Sequence, residues 1–227
     1  KEREKIQRYL NNSNPDNEAL YKDDYFKIYW HKTLSKQNYR QQVAKIKDYI
    51  LAGDCYQVNF TQRFEAKSDI DTLDYYQHLA SKTKTPYSCY LSLGDNRQLL
   101  SFSPEQFIGI NNKLVSTKPI KGTIANTGKE SGKVLQASKK NQSENLMIVD
   151  LLRNDLSKVC ELHSVKVDKL FSLETYPNVH HLVSHISGKL KPEISELDAF
   201  FACFPGGSIT GAPKKRAMEI IEELEVS

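Results

Sequence analysis

The chain has 227 residues, 39% hydrophobic and 26% charged, which suits a globular protein of one large or two small domains. Its 32 Lys and Arg against 28 Asp and Glu leave a formal charge of +4, and the two signs interleave without a basic block, which argues against nucleic-acid binding and for a mixed solvated surface. No apolar run approaches the roughly 20 residues that cross a bilayer, so no membrane-spanning helix is expected.

The first residue is Lys1, and the only methionines are Met147 and Met218. The charged start KEREKIQRYL lacks the apolar core of a secretory signal, which suggests a trimmed or partial chain. Cys55, Cys89, Cys160 and Cys203 lie far apart among apolar residues, with no CxxC pair. Buried thiols in a reducing compartment are expected, not a zinc site or a disulfide framework.

Taken in chain order, Tyr39, Val43, Ile46 and Ile50 recur at helical spacing and Gly53 follows as a stop, so the pattern predicts a helix over 37–51. The stretch CYQVNFTQRFEA alternates instead. Tyr56, Val58 and Phe60 fall on one face and Gln57, Asn59 and Thr61 on the other, which predicts a strand with an amide-rich second face. A short helix is expected in DTLDYYQHLASK, then strands in YSCYLSL, QLLSFS, EQFIGI and KLVSTKPI, parted by turn signals such as GDN and NN. A polar, Lys- and Ser-rich segment over 128–142 leads into a predicted helix, ENLMIVDLLRNDLSKV. Strands follow in SVKVDKLF and VHHLVSHIS, then a helix in ISELDAFFACF, the Gly-rich loop PGGSITGAP, and the opening of a last helix, KKRAMEIIEELE. This order suits a layered α/β or α+β domain with largely antiparallel sheets.

Several of these residues carry chemistry. Glu144 shares a helix face with Met147, Ile148 and Leu151. A carboxylate so placed either meets a cation, a metal or a hydrogen-bond network, or sits at the solvent boundary near the helix start. Lys121, between Ile120 and Gly122 after a strand, is either a solvated loop lysine or a desolvated nucleophile, with the amides of Gly122 and Thr123 open to an anion. Glu105 follows Pro104 at a strand boundary, as a turn carboxylate or a proton donor. His180 and His181 occupy opposite strand faces, so one of them is expected to point inward. In the loop before the last helix, two glycines and Ser208 offer an N-cap or a small-anion site. The loop is not a nucleotide phosphate loop, because Gly211 is followed by Ala212 and Pro213.

The runs AGDCYQVNFTQ, SFSPEQF, KPIKGT, ENLMIVDLLRNDLSKV, VHHLVS and FPGGSITGAPKKRAMEIIEELE occur in this order between about Tyr39 and the last residues. In them the chain resembles the chorismate-utilising enzymes, which include anthranilate synthase component I, aminodeoxychorismate synthase component I and the isochorismate and salicylate synthases. Within that family, Lys121 in PIKGT resembles the aminodeoxychorismate synthases, since anthranilate synthases carry a small residue there. Gln57 stands where the isochorismate and salicylate synthases have a water-activating lysine, which disfavours attack by water.

The resemblance implies an α+β, anthranilate-synthase-component-I-like fold of mostly antiparallel sheets flanked by helices. Residues 1–35 would be a remnant of an N-terminal region. Residues 36–227 would form a partial chorismate-binding domain without its C-terminal segments, which in the family hold a second metal-binding Glu and further substrate contacts. The implied activity converts chorismate and ammonia, from a glutaminase subunit, to 4-amino-4-deoxychorismate in the cytoplasm with Mg²⁺. Lys121 would be the nucleophile, Glu105 the general acid and Glu144 a metal ligand. His181 would lie near the leaving group, and Gly122, Thr123 and Ser208 would contact substrate. The family commonly has Arg and Pro after GT, whereas Thr123 here is followed by IANTGKESG. The alternatives are anthranilate synthase component I and a non-catalytic chorismate-binding module.

Overall fold

Ile28 and residues 30–225 are described by the computed structural model of the chain. The expected remnant over 1–35 lies almost wholly outside these residues. In chain order the described residues form β1 (His31–Lys32), α1 (Lys36–Leu51), β2 (Gln57–Val58), β3 (Phe64–Glu65), α2 (Thr72–Thr83), β4 (Tyr87–Gly94), β5 (Arg97–Ser103) and β6 (Gln106–Asn111). There follow β7 (Leu114–Lys118), β8 (Ile120–Ala125), α3 (Lys129–Ala137), α4 (Lys139–Val159), β9 (Lys166–Thr175) and β10 (Val179–Lys189). Last come α5 (Glu196–Cys203), α6 (Gly207–Thr210), β11 (Gly211–Ala212) and α7 (Lys214–Leu224). No described helix is long and apolar enough to cross a membrane. The chain divides into two compact units, Lys1–Thr33 with Arg63–Pro104, and Leu34–Gln62 with Glu105–Ser227.

In the first unit β1 pairs with β3, and β4 with β5, both antiparallel. Asp95 and Asn96, at φ 48° and 57°, make the two-residue turn of the β4–β5 hairpin, the backbone that Asp and Asn tolerate best after Gly. Asp71 caps α2 by accepting the Leu73 and Asp74 amides at 3.0 and 3.1 Å. Tyr76 of α2 stacks on Phe102 of β5 with ring centroids 5.3 Å apart.

The second unit is built on a five-stranded antiparallel sheet around β10. One edge of β10 pairs with β9; the other pairs with β8 over its first half and β7 over its second. β7 and β8 therefore act as one long strand interrupted at Pro119, which has no amide to donate. Its carbonyl still accepts the Ser184 amide at 3.2 Å. Helix α4 lays Ile148, Val149, Leu152 and Leu156 against Val115, Ile186 and Leu190, and each such fully buried side chain contributes about 1.5–3 kcal/mol. Inside that contact, fully buried Asn145 accepts the Ser184 hydroxyl at 2.5 Å and donates to the Leu182 carbonyl at 3.4 Å, fixing the rotation of α4 on the sheet. A second core joins Ile46 of α1 to Ile220 and Leu224 of α7, with Val58 and Phe60 packed on it.

Three expectations change. The strand over 55–66 breaks into two short ones, β2, whose partner is only the two-residue β11, and β3, which pairs with the two-residue β1. The polar segment over 128–142 is helical. Gly132 and Leu135 of α3 are buried, its polar residues face out, and Ser138 caps α4 by accepting the Asn141 amide. Both His180 and His181 are buried, at 3% and 8% exposure, since each finds a partner on its own face. His180 Nε2 donates to the Gly128 carbonyl at 3.2 Å while its Nδ1 takes the Thr175 hydroxyl at 3.0 Å. His181 Nδ1 meets the Thr123 hydroxyl at 2.9 Å.

Candidate active site

Lys121 owes its direction to a fault in the sheet. Ile120 pairs with Val183 and Thr123 with His181, so Lys121 and Gly122 together stand opposite the single residue Leu182. That is a β-bulge, which locally turns the strand and re-aims its side chains. Gly122 adopts φ +95°, and a Cβ there would lie 2.9 Å from Asn141 Cγ and 3.0 Å from Leu135 Cδ1. Only glycine meets both demands. The half-buried Lys121 ammonium donates to the Ser208 carbonyl at 3.4 Å.

Glu105, half-buried just before β6, lies beside the same group. Burial pushes its carboxyl above the usual carboxylate range, against the opposing pull of a hydrogen bond from the Ser208 side chain, the Lys121 charge and the Ile120 amide. Ser208 is thus a junction: its hydroxyl meets the acid and its carbonyl the lysine. That carbonyl also accepts Asn59 Nδ2 at 2.6 Å, and Asn59 Oδ1 in turn accepts Gln57 Nε2 at 3.1 Å.

The Gly-rich loop reaches this position by close packing. Gly211 lies so near the Gln57 carbonyl, at φ +146°, that any side chain there would displace the β2–β11 pairing. The loop's own helix, α6, has only four residues, too short to offer an anion-binding N-terminus. Behind the loop, Lys214 at the start of α7 reaches the Cys203 carbonyl at 3.0 Å and the buried carboxylate of Asp155, which also holds Lys158 at 2.9 Å.

A cavity of about 370 Å³ opens on Lys121, lined also by Tyr56, Gln57, Ser143, Glu144 and Met147. Glu144 lies in the second turn of α4, its side chain 43% exposed, with Lys140 loosely paired at 3.9 Å. It is a boundary carboxylate facing the cavity, not a core one. Among the described residues no three or more His, Cys, Asp and Glu converge to hold a metal. Thr123 and His181 pair one register step beyond the bulge, outside the cavity lining. Burial pushes the His181 pKa down, against the opposing charge of Glu174, and the Tyr176 ring packs edge-on against it at 5.5 Å.

The geometry therefore joins Lys121, Glu105 and Ser208, with Gly122 in the bulge, and puts Glu144 on the wall of the cavity that Lys121 also lines. Asn59 was not singled out by sequence, although the amide-rich strand face was its signal.

The family of chorismate binding enzymes matches residues 1–227. The chain belongs to that family. Aminodeoxychorismate synthase component 1 of Salmonella typhimurium is 43% identical over 201 residues, which is 86% of this chain and 44% of that protein. Anthranilate synthase component 1 of Pseudomonas aeruginosa is 38% identical over 198 residues, 85% of this chain and 40% of that protein. The crystal structure of anthranilate synthase component I from Streptococcus pneumoniae superposes with a TM-score of 0.79 at 30% identity, covering 98% of this chain and 49% of that one. The chain thus spans about half the length of these chorismate-binding relatives, and the expected α+β fold of mostly antiparallel sheets is borne out.

Proposed function

We propose that the protein acts as an aminodeoxychorismate synthase component I, converting chorismate and ammonia to 4-amino-4-deoxychorismate and water. The observation that carries this reading is Lys121 on the cavity wall beside Glu105, a nucleophile and an acid within one electrostatic neighbourhood. The higher identity to an aminodeoxychorismate synthase than to an anthranilate synthase supports it.

In this mechanism the neutral Lys121 amine attacks C2 of the ring. The double bonds shift, and the C4 hydroxyl leaves as water with the proton of Glu105. Ammonia then attacks C4 and expels the lysine as a neutral amine, and the Glu105 carboxylate recovers its proton from the new ammonium group. Burial that raises the Glu105 pKa suits a proton donor in the first step, and general acid catalysis of this kind contributes about 10²–10⁴-fold. Gly122, Thr123 and Ser208 are assigned to substrate contact and His181 to the vicinity of the leaving group.

Glu144 is the residue that would hold Mg²⁺. A partly exposed carboxylate on a cavity that also carries Gln57 and Ser143 offers the hard oxygen donors this ion takes, commonly one or two carboxylates with water. When bound, the ion would neutralise a substrate carboxylate. The ammonia would come from a glutaminase subunit. A cytoplasmic setting agrees with four cysteines that are all free thiols.

The test is Lys121→Ala in the intact protein, with chorismate, ammonia and Mg²⁺ and products followed by mass spectrometry. Wild type is expected to show a lysine adduct and the amino product, and the variant neither. Aminodeoxychorismate at the wild-type rate from the variant would remove the nucleophile. Anthranilate and pyruvate from wild type, without an adduct, would reassign the protein to the anthranilate synthases.

A further inference from the structure

Three groups converge on Ser208, and only two of them belong to the mechanism above. The third is Asn59, whose Nδ2 donates to the Ser208 carbonyl at 2.6 Å, the tighter of the two bonds that oxygen accepts; Lys121 Nζ makes the other at 3.4 Å. A carbonyl oxygen has two lone pairs, so the two donors share it without competing. We propose that Asn59 is a positioning residue for Lys121: it fixes the Ser208 carbonyl as the acceptor that orients the lysine amine. This inference rests on the reading of Lys121 as a nucleophile.

The local structure is built to hold Asn59 still. The Tyr56 amide donates to the Ala212 carbonyl and the Asn59 amide to the Thr210 carbonyl, both at 2.8 Å, so the backbone from 56 to 59 is pinned to the loop that carries Ser208. Gly211 permits that approach, its missing Cβ leaving room for the Gln57 carbonyl. Gln57 and Asn59, two apart on an extended backbone, share a face. Gln57 Nε2 donates to Asn59 Oδ1 at 3.1 Å, which leaves the Asn59 amide nitrogen pointed at Ser208.

The chemical consequence concerns the lone pair. A neutral primary amine has two N–H bonds and one lone pair, and a backbone carbonyl can only accept. An N–H held on the Ser208 carbonyl turns the lone pair away from Ser208, and Lys121 then has the cavity as its open side. If the carbonyl wanders, the amine still reaches the substrate but samples wrong rotations. Such misplacement lowers the rate of attack far more than it weakens binding, because Gly122 and Thr123, also assigned to substrate contact, stand on β8 and do not depend on Asn59.

The experiment uses the intact protein with Asn59→Leu, which keeps the branched shape and removes the amide, and Asn59→Ser, which keeps polarity but is too short to reach. Near-ultraviolet circular dichroism checks that each variant is folded, and either one alone suffices for the test. The readouts are the rate of lysine adduct formation by mass spectrometry and the split between kcat and KM. Adduct formation and kcat are expected to fall about 10–100-fold with KM changed by less than about 3-fold. Wild-type adduct rates in a folded variant would overturn the proposal, as would a raised KM at unchanged kcat, which would make Asn59 a substrate contact. A wild-type protein that forms neither adduct nor amino product would instead overturn the functional reading beneath it.

Discussion

Asp155 offers a test of how the Gly-rich loop is held that does not depend on the activity. It is 1% exposed within α4, and its two oxygens take Lys158 Nζ and Lys214 Nζ, linking α4 to the first residue of α7. Asp155→Asn keeps the shape and removes the charge. The Lys214 side chain is 15% exposed, so it stays mostly desolvated with no counter-charge, and breaking a buried pair from one side costs about 3–5 kcal/mol. Lys158 is 54% exposed, and its share stays below about 1 kcal/mol. Because Lys214 keeps the Cys203 carbonyl as an acceptor, the lower end applies, about 3 kcal/mol. Lys214→Met in the Asp155→Asn background removes the stranded charge and should recover about 2 kcal/mol, a coupling that a double-mutant cycle isolates. The assay is urea unfolding followed by far-ultraviolet circular dichroism. That signal reports mainly the second unit, since α2 is the one helix of the first among the described residues. The single tryptophan, Trp30, belongs to the first unit and reports it separately. A loss below about 1 kcal/mol for Asp155→Asn, or no coupling to Lys214, would refute the reasoning, because such a pair would be behaving as a surface one.

Two further outcomes follow from the site. Gly122→Ala should destabilise the fold by about 2 kcal/mol or more, since it combines a positive φ with contacts near 3 Å; an unchanged thermal midpoint would contradict the bulge. The raised pKa of Glu105 means its proton is held to higher pH than in an ordinary glutamate, so kcat/KM should fall as pH rises through that value. Ser208→Ala removes an interaction that lowers this pKa, and the falling limb should therefore move to higher pH; a limb that stays or moves down would assign it to another group. The same shift favours the folded state fully below the ordinary glutamate pKa of about 4.3 and loses that contribution as pH rises through the folded value. Glu105→Gln should accordingly gain thermal stability over wild type above that window.

Most elements could be read from period and punctuation, because the features that decide them are local. Gly53 after the helix over 36–51, the Asp95–Asn96 turn and the apolar stripe of α4 all act within a few residues. The misreadings share one cause. The amide-rich run after Cys55 has a strand's alternation, but strand length is set by the partner, and the partner is a loop that allows a two-residue pairing. The helix predicted from Glu144 starts earlier, at Lys139, and the polar segment before it, which received no element, docks as a helix through Gly132 and Leu135.

The same limit governs the site. Lys121 and Glu105 stand out through their neighbours in sequence and through the family they resemble, whereas the bulge that aims Lys121 becomes visible only when Lys121 and Gly122 are counted against Leu182 on β10. Asn59 and Ser208 are 149 residues apart, and each alone is an ordinary polar residue in an extended or glycine-rich stretch. Alternation correctly put Gln57 and Asn59 on one face, since that depends on the pleat alone. What they face is decided by the return of the chain at Thr210–Ala212, which turns two unremarkable amides into the support of a carbonyl that a lysine uses. Periodicity reports which way a side chain points; its chemistry follows from whatever the distant chain brings opposite it.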